Sequence, residues 1–159
     1  MYKYEFEYKV FSSKDELNSI HKMLLEKAFQ VTQNAYAPYS QFKVGCSVLL
    51  ENNQVLEGVN IENAAYPVGI CAERSALSAA ISMYPQVKIL AIAISYVSPS
   101  GRSNQPVFPC GMCRQFIAEI EQHNNHPIPL ILAGEEGKVI LIEKAQHLLP
   151  FNFEKGDLK

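Results

Sequence analysis

The chain of 159 residues predicts an α/β fold, a three-layer α/β/α sandwich around a mixed five-stranded sheet. Three observations carry that reading. Stretches with helical spacing alternate with short β-rich runs in the order α, β-β, α, β, α, β, β. One run, Ile89-Leu90-Ala91-Ile92-Ala93-Ile94, is apolar without interruption, as a strand covered on both faces must be. The length suits a single domain, residues 1–159, which buries roughly two-thirds of its unfolded surface and needs no disulfide.

The elements follow in order. Residues 2–11 alternate charged and aromatic side chains, which fits a short strand or equally a loosely held arm, so residues 1–12 are set apart as an N-terminal arm. Ser13 with Glu16 makes a capping-box pattern. Behind it Leu17, Ile20, Leu24, Ala28 and Val31 recur at helical spacing, predicting a helix over 14–35 that Pro38 stops. Residues 42–50 and 55–61 are β-rich on either side of Glu51-Asn52-Asn53-Gln54, and together predict a hairpin. Residues 71–83, rich in Ala, Leu and Ile without breakers, predict a largely buried helix; 88–97 is the central strand. After a Pro/Ser/Gly loop over 98–109 come a helix over 111–123, strands over 128–133 and 138–142, and a short helix over 143–149.

Charge and hydropathy exclude several classes. The formal net charge is −2 with no long basic run, which argues against a polymeric nucleic acid partner. No apolar run is long enough to span a bilayer, and residues 1–8 lack the apolar core of a signal peptide. A soluble cytoplasmic protein is therefore expected, without a membrane partner. Thiols stay reduced there, so the four cysteines read as metal-binding or catalytic before they read as disulfides.

Three of them fall at two predicted helix starts: Cys71, and Cys110-Gly111-Met112-Cys113. Helix N-termini favour thiolate over thiol. The C-x-x-C pair alone fits a redox couple as well as a metal site. The third cysteine, with Glu73 two residues beyond it, favours Zn²⁺ on three thiolates with the fourth position left to water. Glu73 can then stand beside the metal without binding it and move protons. Arg74 and the helix dipoles are suited to offset the excess negative charge of the thiolates. A closed structural site would need a fourth ligand. Cys46, inside an apolar strand, reads as a core residue, and His21, His123, His126 and His147 read as solvated surface residues.

Cys71-Ala72-Glu73-Arg74 followed by Pro109-Cys110-Gly111-Met112-Cys113-Arg114-Gln115 resembles the zinc nucleoside deaminases. Tyr36-Ala37-Pro38-Tyr39-Ser40-Gln41-Phe42-Lys43-Val44-Gly45 and Asn60-Ile61-Glu62-Asn63-Ala64-Ala65-Tyr66 are similar to the small, all-cysteine, homotetrameric cytidine deaminases. The resemblance spans roughly residues 20–153, ending in Leu148-Leu149-Pro150 and Phe153. It implies zinc-dependent hydrolytic deamination of cytidine and deoxycytidine to uridine and deoxyuridine, releasing ammonia, in pyrimidine salvage. It also implies that Asn60 and Glu62 hold the ribose hydroxyls and that Phe42 packs on the nucleoside. The Ala72 backbone and the Glu73 carboxylate would meet the pyrimidine edge, and Phe153 would reach a neighbouring subunit's site in a homotetramer. Glu73 would carry a proton from water to N3 of the base, then another to the leaving amine. Cys46 stands where the family commonly has alanine, and the first dozen residues have no clear counterpart. The rivals are an aminohydrolase for a nucleoside antibiotic, a non-catalytic binding protein on the same scaffold, and a disulfide oxidoreductase.

Overall fold

A computed structural model describes residues 1–101 and 103–158. Among these residues the sheet has six strands rather than the five expected, in the order β1-β6-β5-β4-β2-β3. They are β1 (Lys9–Phe11), β2 (Lys43–Leu50), β3 (Val55–Val59), β4 (Ile89–Val97), β5 (Leu130–Ala133) and β6 (Val139–Ile142). The additional strand is the end of the N-terminal arm. Lys9, Val10 and Phe11 pair antiparallel with Leu141, Ile140 and Val139, covering the edge that β6 would otherwise expose. The arm is thus tied down at its C-terminal end, where Lys9 also meets Glu143 at 2.6 Å.

Among the described residues, three α-helices flank the sheet: α1 (Ser19–Val31), α2 (Ala72–Met83) and α3 (Gly111–Asn124). The helix expected over 14–35 is broken into pieces. Leu17 is extended (φ −75°, ψ 156°), so Lys14–Glu16 form only a 3-10 turn. Ser13 Oγ accepts from Asp15 N and Glu16 Oε1 from Ser12 N, closing that turn rather than starting the helix. Asn18 caps α1 instead, its Oδ1 accepting from His21 N at 2.8 Å. A second 3-10 turn, Thr32–Asn34, follows α1, and the chain then straightens so that Tyr36 can bridge Ile61. The helix expected over 143–149 is likewise a 3-10 turn, Ala145–Leu148.

The alternation along β2 and β4 sorts the core into two layers. Cys46, Val48, Leu50, Ile92 and Ile94 pack with Ala72, Ala76 and Leu77 of α2 and Ile117 of α3. Leu49, Ala91 and Ala93 face the other way, onto Leu24, Leu25 and Ala28 of α1. Both faces of β4 are therefore covered, which accounts for its unbroken apolar sequence. On the α1 side the contact is close: Ser47 Oγ donates to Leu24 O at 2.7 Å.

Two histidines depart from the solvated surface reading. His21 is half-buried, and burial lowers its pKa. His147 packs its ring 5.5 Å from that of Phe6 and has Nδ1 buried, because the N-terminal arm lies across its turn. Among the described residues, no helix is long and apolar enough to cross a membrane.

Candidate active site

The site forms where the first turns of α2 and α3 meet. At β3 a glycine sets the approach of α2: a Cβ on Gly58 would lie 2.3 Å from Ala76 N and 2.8 Å from Ala72 O. No other residue lets the first turn of α2 rest directly on the strand. Cys71 is the N-cap of α2 and Cys110 the N-cap of α3, both with extended backbone. Neither thiol makes a capping hydrogen bond, so both sulfurs stay free to meet each other.

Cys113, in the first turn of α3, completes a triangle. Its Sγ lies 3.6 Å from Cys110 Sγ, and Cys110 Sγ lies 3.9 Å from Cys71 Sγ. All three are within 4.8 Å of one another, and all are free thiols. Tetrahedral Zn–S bonds of about 2.3 Å put sulfurs about 3.8 Å apart, close to the two separations from Cys110, so this donor set fits zinc. Cys113 is buried, Cys71 half-buried and Cys110 exposed, which leaves the open side of the triangle facing the cleft.

The thiols share protons unevenly. Hydrogen bonding from Cys113 holds Cys71 down at about 6, with lesser help from Cys110 and Arg74 against burial and the Glu73 carboxylate. Cys113 is pushed up as the partner of Cys71, and burial reinforces the shift. Glu73 is 5% exposed, and burial raises its pKa. A buried carboxyl group poised above its ordinary value is suited to proton transfer.

A cleft of about 730 Å³ opens over the sulfurs. Phe42, Asn60, Glu62, Cys71, Ala72, Glu73 and Cys110 all line it, so most of the residues singled out in the sequence converge there. Phe42 stacks on Tyr96, with ring centroids 5.0 Å apart and planes at 16°. Asn60 Oδ1 accepts from Val44 N at 2.8 Å while its Nδ2 donates to Phe42 O at 2.9 Å. Glu62 accepts from Tyr39 N at 2.8 Å, from Ser40 N at 3.2 Å and from the Ser40 hydroxyl. Both side chains therefore brace the 39–44 segment as well as facing the cleft.

Two of the predicted residues lie elsewhere. Arg74 follows Glu73 on α2 and is partly exposed outside the cleft lining. Phe153 is 59% exposed in the C-terminal tail and does not line the cleft of its own chain. Sequence reasoning gave no role to Ser40, Tyr66 or Phe108, which also line the cleft or hold its rim. Ser40 could have been found from its place in the upstream motif; Phe108 stands in a loop without periodicity. Glu121, on the third helix, was also missed. Its buried carboxylate accepts from Ile128 N, Ala145 N and Gln146 N, fastening that helix to the end of the domain.

Comparison with known proteins adds to the geometry. Residues 18–125 match the family described as the cytidine and deoxycytidylate deaminase zinc-binding region. The chain is 43% identical to a cytidine deaminase of Halalkalibacterium halodurans over 99 residues, 62% of this chain and 70% of that one. It is 38% identical to a cytidine deaminase of Sporosarcina psychrophila over 136 residues, covering 85% of this chain and 92% of the relative. The crystal structure of cytidine deaminase from Burkholderia pseudomallei superposes with a TM-score of 0.72 at 34% identity, covering 84% of this chain and 98% of that one.

Proposed function

Since the chain belongs to the family of zinc-binding cytidine and deoxycytidylate deaminases, we propose that it hydrolyses the exocyclic amine of free cytidine and deoxycytidine, releasing ammonia. It is a zinc enzyme, and the observation that carries the reading is the triangle of Cys71, Cys110 and Cys113 beneath a cleft that also holds a buried Glu73. When bound, zinc lowers the pKa of water in its open position toward neutrality and so supplies a nucleophile at ordinary pH. Glu73 moves the protons. Its carboxylate takes a proton from the attacking water and passes it to N3 of the pyrimidine as the water oxygen bonds to C4, then passes the remaining water proton to the exocyclic amine as the C4–N bond breaks and ammonia leaves. The backbone N–H of Ala72, in the first turn of α2, is free of intrahelical bonding and meets the pyrimidine edge.

Asn60 and Glu62 orient the ribose. A carboxylate accepts about four hydrogen bonds and Glu62 uses three, which leaves capacity for one sugar hydroxyl. Asn60 keeps one amide hydrogen and one lone pair beyond its two backbone bonds. Phe42, stacked on Tyr96, offers its ring to the nucleoside. Arg74 offsets the negative charge of the thiolates, consistent with its lowering of the Cys71 pKa.

The chain acts as a single domain with an N-terminal arm, in the cytoplasm, as part of pyrimidine salvage. It assembles as a homotetramer in which Phe153 completes the site of a neighbouring subunit. The exposed tail and the openness of the cleft's rim support that arrangement. The test is ammonia release by zinc-loaded protein from cytidine, with adenosine and the cytosine base as controls. Release from cytidine and deoxycytidine alone is the expected result. Silence on both, with zinc bound, rejects the substrate assignment.

A further inference from the structure

Arg114 follows Cys113 on α3 and does not line the cleft. Its guanidinium spans two main-chain carbonyls far apart in sequence. Nε donates to Pro109 O at 2.8 Å and Nη1 donates to Leu148 O at 3.0 Å. Pro109 is buried and immediately precedes the thiol-bearing Cys110. Its carbonyl lies before the first turn of α3, outside the helical ladder, and needs a donor from elsewhere. Leu148 ends the 3-10 turn Ala145–Leu148 and leaves its carbonyl over in the same way. Two further side chains of α3 act in parallel. Gln115 Nε2 donates to Phe153 O at 2.8 Å, and Glu121 accepts from Ala145 N and Gln146 N at 3.0 and 2.7 Å. Residues 145–153 are thus fastened along the helix that presents Cys110 and Cys113.

We propose that Arg114 is a positioning residue that couples metal occupancy at Cys110 to the order of the C-terminal segment 145–153. The proposal rests on the zinc reading of the three thiols and deepens it. A planar guanidinium holds its two acceptors in one fixed geometry, whereas an ammonium on a flexible stem is a point charge. Fixing the Cys110 sulfur fixes the Pro109–Cys110 peptide, the guanidinium carries that constraint to Leu148, and Gln115 carries it on to Phe153.

The test is backbone hydrogen exchange of residues 145–153 in zinc-loaded and chelator-stripped full-length protein, with metal content measured on each sample. In the unaltered protein, stripping is expected to speed exchange of this segment by about tenfold or more. In Arg114→Lys the zinc-loaded segment is expected to exchange as the stripped one does, with zinc shifting it by less than about twofold. Zinc affinity of Arg114→Lys is expected to fall by about tenfold, the lower end of the loss seen when a ligand's support is removed. A merely structural arginine would speed exchange equally in both metal states and leave the ratio unchanged. Retention of the unaltered ratio in Arg114→Lys overturns the proposal. So does a segment in the unaltered protein that ignores zinc, a comparison that needs no variant to fold. Zinc bound with an unresponsive segment defeats the coupling alone, while failure to bind zinc defeats the metal reading and the coupling together.

Discussion

The Glu62 carboxylate accepts the backbone N–H of Tyr39 at 2.8 Å, tying the chain that leaves β3 to the loop that enters β2. The Ser40 hydroxyl, more than the two backbone N–H groups, holds the Glu62 pKa below its ordinary 4.5. A depressed acid stabilises the fold above the unfolded-state value, and that contribution is lost as pH falls through the folded-state value. Glu62→Gln is therefore expected to flatten the acid side of the stability curve and to raise KM for nucleosides. Urea unfolding of metal-stripped protein between about pH 6 and about pH 3.5 measures the first effect. An acid limb as steep in the variant as in the parent rejects the role.

Glu73→Gln keeps the shape of the buried side chain and removes its capacity to carry a proton. Zinc content is expected to stay at the parent level, while turnover falls by about 10²–10⁴-fold. Metal analysis and ammonia release on the same preparation check both halves. Undiminished turnover in the zinc-loaded variant removes Glu73 from the chemistry.

Gly58→Ala forces a methyl group against the backbone of α2, where Ala76 N would be 2.3 Å away. The expected cost is about 1–3 kcal/mol, as for other overpacked sites. Zinc affinity is expected to fall as well, because the displaced turn carries Cys71 and Glu73. Gly156→Ala is the control, since an added methyl there meets nothing within 4 Å. Chelator competition and denaturant unfolding read the two effects, and a Gly58→Ala protein with parent zinc affinity contradicts the geometry.

Cys71 is expected to react well before Cys46 once zinc is stripped. Cys71 is half-buried and held at about 6, so it is largely thiolate at neutral pH. Cys46 is fully buried, and burial pushes its thiol well up. Iodoacetamide followed by mass mapping is expected to label Cys71 in minutes and Cys46 only on unfolding, with Cys71 protected when zinc is restored. Labelling of Cys46 before Cys71 would contradict this account.

Much of the molecule was legible because its signals are local. The two Asn residues of Glu51-Asn52-Asn53-Gln54 mark a turn, and Asn53 does adopt φ 64°, closing the hairpin where the pattern put it. The spacing of Cys110 and Cys113 places both sulfurs on one helical turn, and the glutamate after Cys71 follows by the same logic. What stayed hidden depends on partners far along the chain. Val10 pairs with Ile140, and no periodicity in a short alternating arm announces which edge it will cover. Leu17 is buried in an extended conformation between two helical pieces, so its apolar character reinforced a continuous helix that does not exist. The dual task of Asn60, bracing Val44 and Phe42 while facing the cleft, is a matter of hydrogen-bond geometry that residue type alone does not reveal.

Cys71 and Cys110 touch although they stand 39 positions apart in sequence, with α2 and β4 between them. An ion held by both sulfurs is therefore a clasp on a loop as well as a reagent. By the entropy of cross-linking, closing a loop of this size restrains the unfolded chain by about 4 kcal/mol when the link survives unfolding. Even a link that opens on unfolding adds its binding free energy to the folded side. Scarcity of zinc is then felt by the central strand of the sheet as much as by the cleft, and the lifetime of the folded chain becomes a gauge of the metal supply around it.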